Sequence, residues 1–138
     1  MTDVFIELSN SHSLIFFIFL VMNIIDWLTG WAKARILKKE SSSVGAMGVI
    51  KKIASWLIVF VSFALSYAFS ELGKIVGIDM SAALFLGWFV LISMIVNEIR
   101  SICENLVECN IKVPSILITG LDVLNEKVEE AIKDEKDY

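Results

Sequence analysis

Three blocks of apolar residues dominate the chain, and short polar stretches separate them. The blocks cover residues 13–31, 53–70 and 80–96. Each is close to the roughly 20 apolar residues that an α-helix needs to cross a bilayer. The second and third blocks contain no charged residue, and none of the three shows the polar stripe through which a soluble helix meets water. The pattern therefore predicts three transmembrane helices.

The spans divide the whole chain into segments. We predict an all-α integral membrane protein with three transmembrane helices and a cytoplasmic amphipathic C-terminal helix. The predicted segments are an outside N-terminal segment (1–12), transmembrane helix 1 (13–34), a basic cytoplasmic loop (35–52), transmembrane helix 2 (53–72), a short outside link (73–79), transmembrane helix 3 (80–99) and a cytoplasmic C-terminal tail (100–138).

The charges between the spans predict the orientation. Residues 33–52 hold six basic residues and one acidic residue, a net charge of +5. The segment before the first span has a net charge of −2, and the link at 71–79 has a net charge of −1. Because Lys and Arg accumulate on the cytoplasmic side of membrane proteins, we expect the N-terminus outside and the C-terminus in the cytoplasm.

Composition supports a membrane protein and offers little for catalysis. The 138 residues are 57% hydrophobic, and the mean hydropathy is +0.73. With one histidine and two cysteines, Cys103 and Cys109, no metal cluster or His-based triad can be assembled. We therefore expect no enzyme activity and no cofactor. The basic loop could attract nucleic acid, but beside a membrane it more often sets topology and contacts anionic lipid, so we expect no nucleic-acid partner.

The C-terminal tail is predicted to break at Pro114, because proline removes a helical hydrogen-bond donor. Beyond it, apolar residues are spaced four, three, four and three apart, as in a heptad pattern over two repeats. These residues are Leu117, Leu121, Leu124, Val128 and Ala131. Two repeats leave two interpretations open. The helix lies on the bundle or on the inner leaflet, or it joins copies of the chain.

Asp26 is the one acidic residue inside an apolar block. Placing its charge in a membrane costs about 2.5–3.5 kcal/mol, so its side chain should face protein or water. Gly30 and Ala34 follow at steps of four on the same face and allow close helix contact, and Ser62 and Ser66 give the second span a comparable row. Two interpretations of Asp26 remain open. In the first it lies inside one subunit, bonded to a serine or Trp56 or present as the protonated acid. In the second it lines the wet interior of an oligomer.

Two runs of residues resemble the toxin-secretion/phage-lysis holin family over about residues 14–117. The first run is Asp26-Trp27-Leu28-Thr29-Gly30 followed by Ser42, Gly45, Gly48, Lys51 and Lys52, and the second is Asn97-Glu98, Ser101, Glu104-Asn105 and Pro114. Where that family usually has a glycine before the proline, this chain has Cys109 and Asn110.

The resemblance implies a small protein of the bacterial cytoplasmic membrane that oligomerises and opens holes, with an endolysin or a large toxin as the released cargo. It implies three groups of site residues. They are an assembly or pore surface (Asp26, Gly30, Ala34, Ser62, Ser66), a turn that re-enters the membrane (Gly45, Gly48, Lys51, Lys52) and a polar surface at the inner mouth (Glu98, Ser101, Glu104, Asn105).

Three other functions fit the same pattern. A small transporter or ion-channel subunit can carry one intramembrane acid, although such chains usually have four spans and little tail. An antiholin-like antagonist would share the fold without opening the membrane. A membrane anchor would use the tail to recruit a cytoplasmic partner.

Overall fold

A computed structural model describes residues 2–38 and 42–123, with side chains described for 12–38 and 45–123. Helix α1 covers Thr2–Ile36, helix α2 covers Ser42–Val76, and helix α3 covers Phe85–Glu108 after a 3-10 turn at Ser81–Leu84. A further helical stretch, α4, covers residues 115–123. All regular structure within the described ranges is helical, which confirms the predicted all-α class.

Three helical segments are long and apolar enough to cross a membrane: His12–Ile36, Gly45–Val76 and Ser81–Glu108. They contain the first two predicted spans in full and the third except for Met80. The second helix begins earlier than the sequence predicted, because α2 already starts at Ser42 inside the predicted loop of residues 35–52. That stretch holds no proline, and a glycine inside a helix costs only about 1 kcal/mol, which tertiary contacts can offset.

Helix α3 packs against both α1 and α2, whereas α1 and α2 contact each other little. The buried core at this junction contains Phe19 of α1, Val59 of α2 and Leu91 of α3. Trp88 of α3 lies edge-on to Phe63 of α2, with ring centroids 5.0 Å apart. Aromatic pairs favour this geometry, so the mid-span tryptophan serves packing between the helices.

The link between α2 and α3 is a tight turn. Gly77 has φ +73°, a left-handed conformation that glycine adopts without steric cost, and the Ile78 N–H donates to the Gly73 carbonyl at 3.0 Å. The Ser81 N–H donates to the Asp79 carboxylate at 2.9 Å, and this bond to the ionised form lowers the pKa of Asp79. These bonds satisfy the backbone N–H groups of Ile78 and Ser81 within the turn.

Helix α3 ends in a Schellman motif at the position where the sequence lacks the usual glycine. Asn110 takes φ +59°, its N–H donates to the Val107 carbonyl at 2.9 Å, and the Ile111 N–H donates to the Leu106 carbonyl at 3.0 Å. Asparagine tolerates the left-handed conformation better than other non-glycine residues do, so the turn is preserved.

Helix α4 follows Pro114 and folds back onto α3. Leu121 is buried against Val96 and Cys103, and Asp122 pairs with Arg100. Of the two described members of the heptad-like stripe, Leu121 therefore lies on the bundle, whereas Leu117 is exposed. Three members of the stripe lie outside the described residues: Leu124, Val128 and Ala131.

Candidate functional site

One ammonium group joins all three long helices. Lys52 of α2 places Nζ 2.5 Å from Asp26 Oδ2 on α1, and the same Nζ contacts Glu98 Oε2 on α3. The Asp26 and Glu98 side chains are 12% and 10% exposed, and Lys52 is 21% exposed. Attraction between charges strengthens where water is excluded, so these contacts are the strongest electrostatic links between the helices.

Asn105 of α3 extends the contacts along the bundle. Its Nδ2 donates to Asp26 Oδ1 at 3.2 Å and lies 3.3 Å from Thr29 Oγ1, while its Oδ1 accepts from Lys33 Nζ at 3.2 Å. Lys33 also pairs with Glu108 at 3.0 Å. We call this continuous set the polar network. It comprises Asp26, Thr29, Lys33, Lys52, Glu98, Asn105 and Glu108.

Helical spacing explains why these residues meet. Asp26, Thr29 and Lys33 lie three and four residues apart on one face of α1, and Glu98 and Asn105 lie seven apart on one face of α3. Gly30 lies on the same face of α1. A Cβ atom there would lie 3.5 Å from Asn105 Nδ2, so the small residue lets α3 approach closely.

The polar network contains more acids than bases. Three carboxylates, from Asp26, Glu98 and Glu108, share two ammonium groups, from Lys33 and Lys52. Asp26 and Glu98 depend on the same lysine. Removing one partner of a buried ion pair costs about 3–5 kcal/mol, because it leaves an uncompensated charge. The network therefore holds the helices together and carries enough polarity to interact with water if the helices separate.

The predicted assembly surface divides between the interior and partly exposed positions. Asp26 is buried, and Gly30 and Ala34 are half-buried. Ser62 and Ser66 are buried inside the subunit, where the Ser66 hydroxyl accepts the Gly87 N–H at 2.9 Å. Ser66 thus joins α2 to α3, whereas the Ser62 hydroxyl donates to the Ile58 carbonyl of its own helix at 2.8 Å. In this conformation a second copy cannot contact either buried serine.

The predicted re-entrant turn is helical instead. Gly45, Gly48, Lys51 and Lys52 all lie within α2, which begins at Ser42. The prediction of a re-entrant turn is therefore wrong for these four residues. Lys51 is exposed, whereas Lys52 points into the bundle because its ammonium group is attracted to two carboxylates on the neighbouring helices.

The predicted inner-mouth surface is not a single surface. Glu98 and Asn105 are buried and belong to the polar network, while Ser101 is half-buried and Glu104 is exposed. Sequence reasoning did not assign Lys33, Thr29 or Glu108 to a site. The spacing of Thr29 and Lys33 from Asp26 was the available signal, since it marks a polar face on an otherwise apolar helix.

These features define a multi-pass membrane protein in which three apolar helices enclose a network of charged and polar side chains. The chain belongs to the bacteriophage holin family, whose model matches residues 4–126. The polar network lies wholly within the matched region.

Of three similar proteins, one is named a probable holin and two are uncharacterized. A probable holin of Bacillus phage phi105 is 32% identical over 118 residues, covering 86% of this chain and 78% of that protein. An uncharacterized protein of Halalkalibacterium halodurans is 30% identical over 107 residues, covering 78% and 75% of the two chains. The uncharacterized protein YqxH of Bacillus subtilis is 28% identical over 112 residues, covering 81% and 72%. No solved structure shows a significant match.

Proposed function

We propose that this protein is a holin that self-associates in the bacterial cytoplasmic membrane and opens holes through which an endolysin or a large protein toxin leaves the cell. The family assignment and the similarity to a probable phage holin support it. Of the two cargoes, the phage relative favours an endolysin.

The polar network is the observation that carries the proposal. An anchor or a simple packing unit has no need for five charged side chains between apolar helices, since charges are costly in a membrane. Three helices are too few to enclose a wide water path, so a hole requires several copies. When copies assemble and their helices separate, the same side chains become available to line water.

The proposed orientation is N-terminus outside and C-terminus in the cytoplasm. The net charge of +5 over residues 33–52 supports it. Lys33 and Lys52 then lie toward the cytoplasmic side, and the polar network occupies the inner half of the membrane.

The central experiment follows membrane potential and release of a co-expressed endolysin against the amount of inserted protein. We expect Asp26→Leu to insert and to form oligomers but to fail to depolarise the membrane, because an apolar side chain cannot line a wet surface. We expect Asp26→Asn, which keeps hydrogen bonding to Asn105, to retain partial activity if contact with that residue is what matters. Glu71→Gln is the control, since it removes an acid from a surface pair with Lys74 that is remote from the network.

The outcomes separate the possible functions. If Asp26→Leu depolarises the membrane at the same time as the wild type at matched expression, Asp26 serves only in packing. A wild-type protein that inserts and self-associates but never depolarises at any level would be an antagonist of a holin. Current carried only by small ions, with the endolysin retained, would indicate a channel subunit.

Self-association has its own test. Chemical crosslinking in membranes should give a ladder extending above the dimer, because holes need several copies. A strictly monomeric species at high membrane density would contradict the proposed mechanism.

A further inference from the structure

The sparse contact between α1 and α2 leaves an apolar groove along the side of the bundle. Its volume is about 680 Å³. Eight of the lining side chains are apolar, and two carry polar groups, Asn23 and Lys52. Lys52 is already paired in the polar network. The apolar lining residues are Leu20, Ile24, Trp27, Val49, Ile53, Trp56, Leu57 and Phe60.

Asn23 has an unused acceptor. The residue is 5% exposed, and its Nδ2 donates to the Phe19 carbonyl at 2.8 Å. That bond fixes the amide so that Oδ1 is buried with no hydrogen-bond partner among the described residues. A buried polar atom without a partner costs about 1–3 kcal/mol, and a lipid acyl chain in the groove has no donor to offer. The groove therefore favours an occupant that carries a hydrogen-bond donor.

Asn97 of α3 supplies the matching donor on the outside of the bundle. Its side chain is exposed and forms no hydrogen bond with the described residues. It lies 12 residues after the first residue of α3, Phe85, about 18 Å along the helix axis. An amide at this depth on a lipid-facing surface is unfavourable unless another chain covers it.

The donor and the acceptor lie at nearly the same depth. Helices α1 and α3 run parallel, so residues of the two helices that contact each other lie at the same depth. The residue number on α3 exceeds that on α1 by 72 for the Phe16–Trp88 contact and by 79 for the Asp26–Asn105 contact. Asn97 and Asn23 differ by 74, within that range. Copies inserted in the same orientation and related by an axis along the membrane normal keep every residue at its depth, so Asn97 of one copy is level with Asn23 of the next.

The surface around Asn97 also fits the groove in chemistry. Three residues lie on the same face of α3 as Asn97, on the side toward the 71–79 link. Leu86, eleven residues before the amide, is 41% exposed, Val90, seven before it, is half-buried, and Ser93, four before it, is a small residue. An apolar ridge with one amide thus faces an apolar groove with one unpartnered amide oxygen. Interhelical hydrogen bonds and small residues are the usual means of joining helices in membranes.

We propose that the outer face of α3 of one copy fills the α1–α2 groove of a second copy, with the Asn97 amide donating to Asn23 Oδ1. The inference rests on the proposed holin function and identifies the surface through which copies join. Because Asn23 Oδ1 is covered, the groove side chains must part to admit the donor. The two surfaces differ, so the contact is head-to-tail. Repeated contacts of this kind give rings when the rotation closes and open arrays when it does not.

Disulfide crosslinking between two differently tagged copies tests the interface. Cys103 and Cys109 are first replaced by serine, and one copy then carries Asn97→Cys while the other carries Ile53→Cys. Lys52 of α2 contacts Glu98 of α3, so these two residues lie at the same depth. Ile53 and Asn97 are each one residue nearer to the 71–79 link, and they therefore also lie level with each other. Ala54→Cys is the matched control, because Ala54 is exposed at nearly the same depth but does not line the groove.

We expect oxidised membranes to contain severalfold more mixed dimer for the Asn97–Ile53 pair than for the Asn97–Ala54 pair. Asn97→Leu should weaken self-association roughly 3- to 30-fold, the range that one interhelical hydrogen bond supplies. Equal yields for the two pairs, or a predominance of dimers joined through Asn97 on both copies, would overturn the interface.

The same membranes distinguish this inference from the proposed function. If the cysteine-free parent forms a ladder and releases endolysin but the Asn97–Ile53 dimer is missing, the interface is wrong and the holin function stands. If the parent forms no ladder and causes no release, both fail. A groove filled by lipid would give a ladder and endolysin release without the Asn97–Ile53 dimer.

Discussion

Lys52 Nζ lies 2.5 Å from Asp26 Oδ2, and this contact joins the two long helices that otherwise touch each other least. The same nitrogen contacts Glu98 on the third helix. Lys52 is thus the centre of the polar network, and each acid depends on it for charge compensation. Loss of the lysine should therefore destabilise the folded bundle more than loss of one acid does.

Lys52→Met should destabilise the folded bundle much more than Asp26→Asn does. The methionine leaves two carboxylates without their shared cation, at a cost of about 3–5 kcal/mol for a broken buried pair. Asp26→Asn leaves the Lys52–Glu98 pair intact and charge-balanced. Denaturant unfolding in detergent, followed by helical circular dichroism, measures the difference. Equal midpoints for the two variants would show that Lys52 is not the shared partner, and Lys51→Met, an exposed neighbour, is the control.

Gly87→Ala should destabilise the junction between α2 and α3. A Cβ atom at Gly87 would lie 2.6 Å from the Phe63 ring, too close without movement of the helices. Overpacking of this kind costs about 1–3 kcal/mol. Gly45→Ala is the matched control, because nothing lies within 4 Å of the added atom and alanine favours a helix. The two variants should shift thermal unfolding in opposite directions, and a neutral Gly87→Ala would contradict the close packing.

Asn110→Gly should preserve the turn after α3, whereas Asn110→Val should disrupt it. The residue holds φ +59°, which costs about 1–2 kcal/mol for an ordinary L-residue and little for glycine. The valine variant should loosen the packing of Leu121 on α3 and speed proteolysis within α4. Limited digestion of membranes from the cytoplasmic side measures this rate. A glycine variant digested as fast as the valine variant would show that the turn conformation is not what holds α4.

The orientation is tested by reporter fusions. A reporter that is active only in the cytoplasm should work when fused after Tyr138 and fail when placed near Lys74, because residues 33–52, with a net charge of +5, are retained inside. Activity near Lys74 with none at the C-terminus would reverse the topology. It would also move the polar network to the outer half of the membrane.

The sequence by itself determined the number and approximate position of the membrane-spanning helices. Hydropathy accumulates residue by residue along one segment, so three charge-poor blocks of sufficient length predicted three spans without any knowledge of their neighbours. The break at Pro114 was likewise predicted, since the missing donor is a property of the residue itself. The resemblance to the holin family was also carried by local runs of residues, and the family model matches the same region.

Only the tertiary structure decided which polar groups meet. The resemblance placed Lys52 in a turn that re-enters the membrane. The sequence left Asp26 either inside one subunit, bonded to a serine or Trp56 or present as the protonated acid, or lining the wet interior of an oligomer. In the bundle Lys52 and Asp26 pair across 26 residues, and Asn105 reaches Asp26 across 79. Such partners depend on how far each helix is rotated and how deep it sits beside the others. Those two quantities are set by the packing of Phe19, Leu91 and their neighbours, and no single segment contains them.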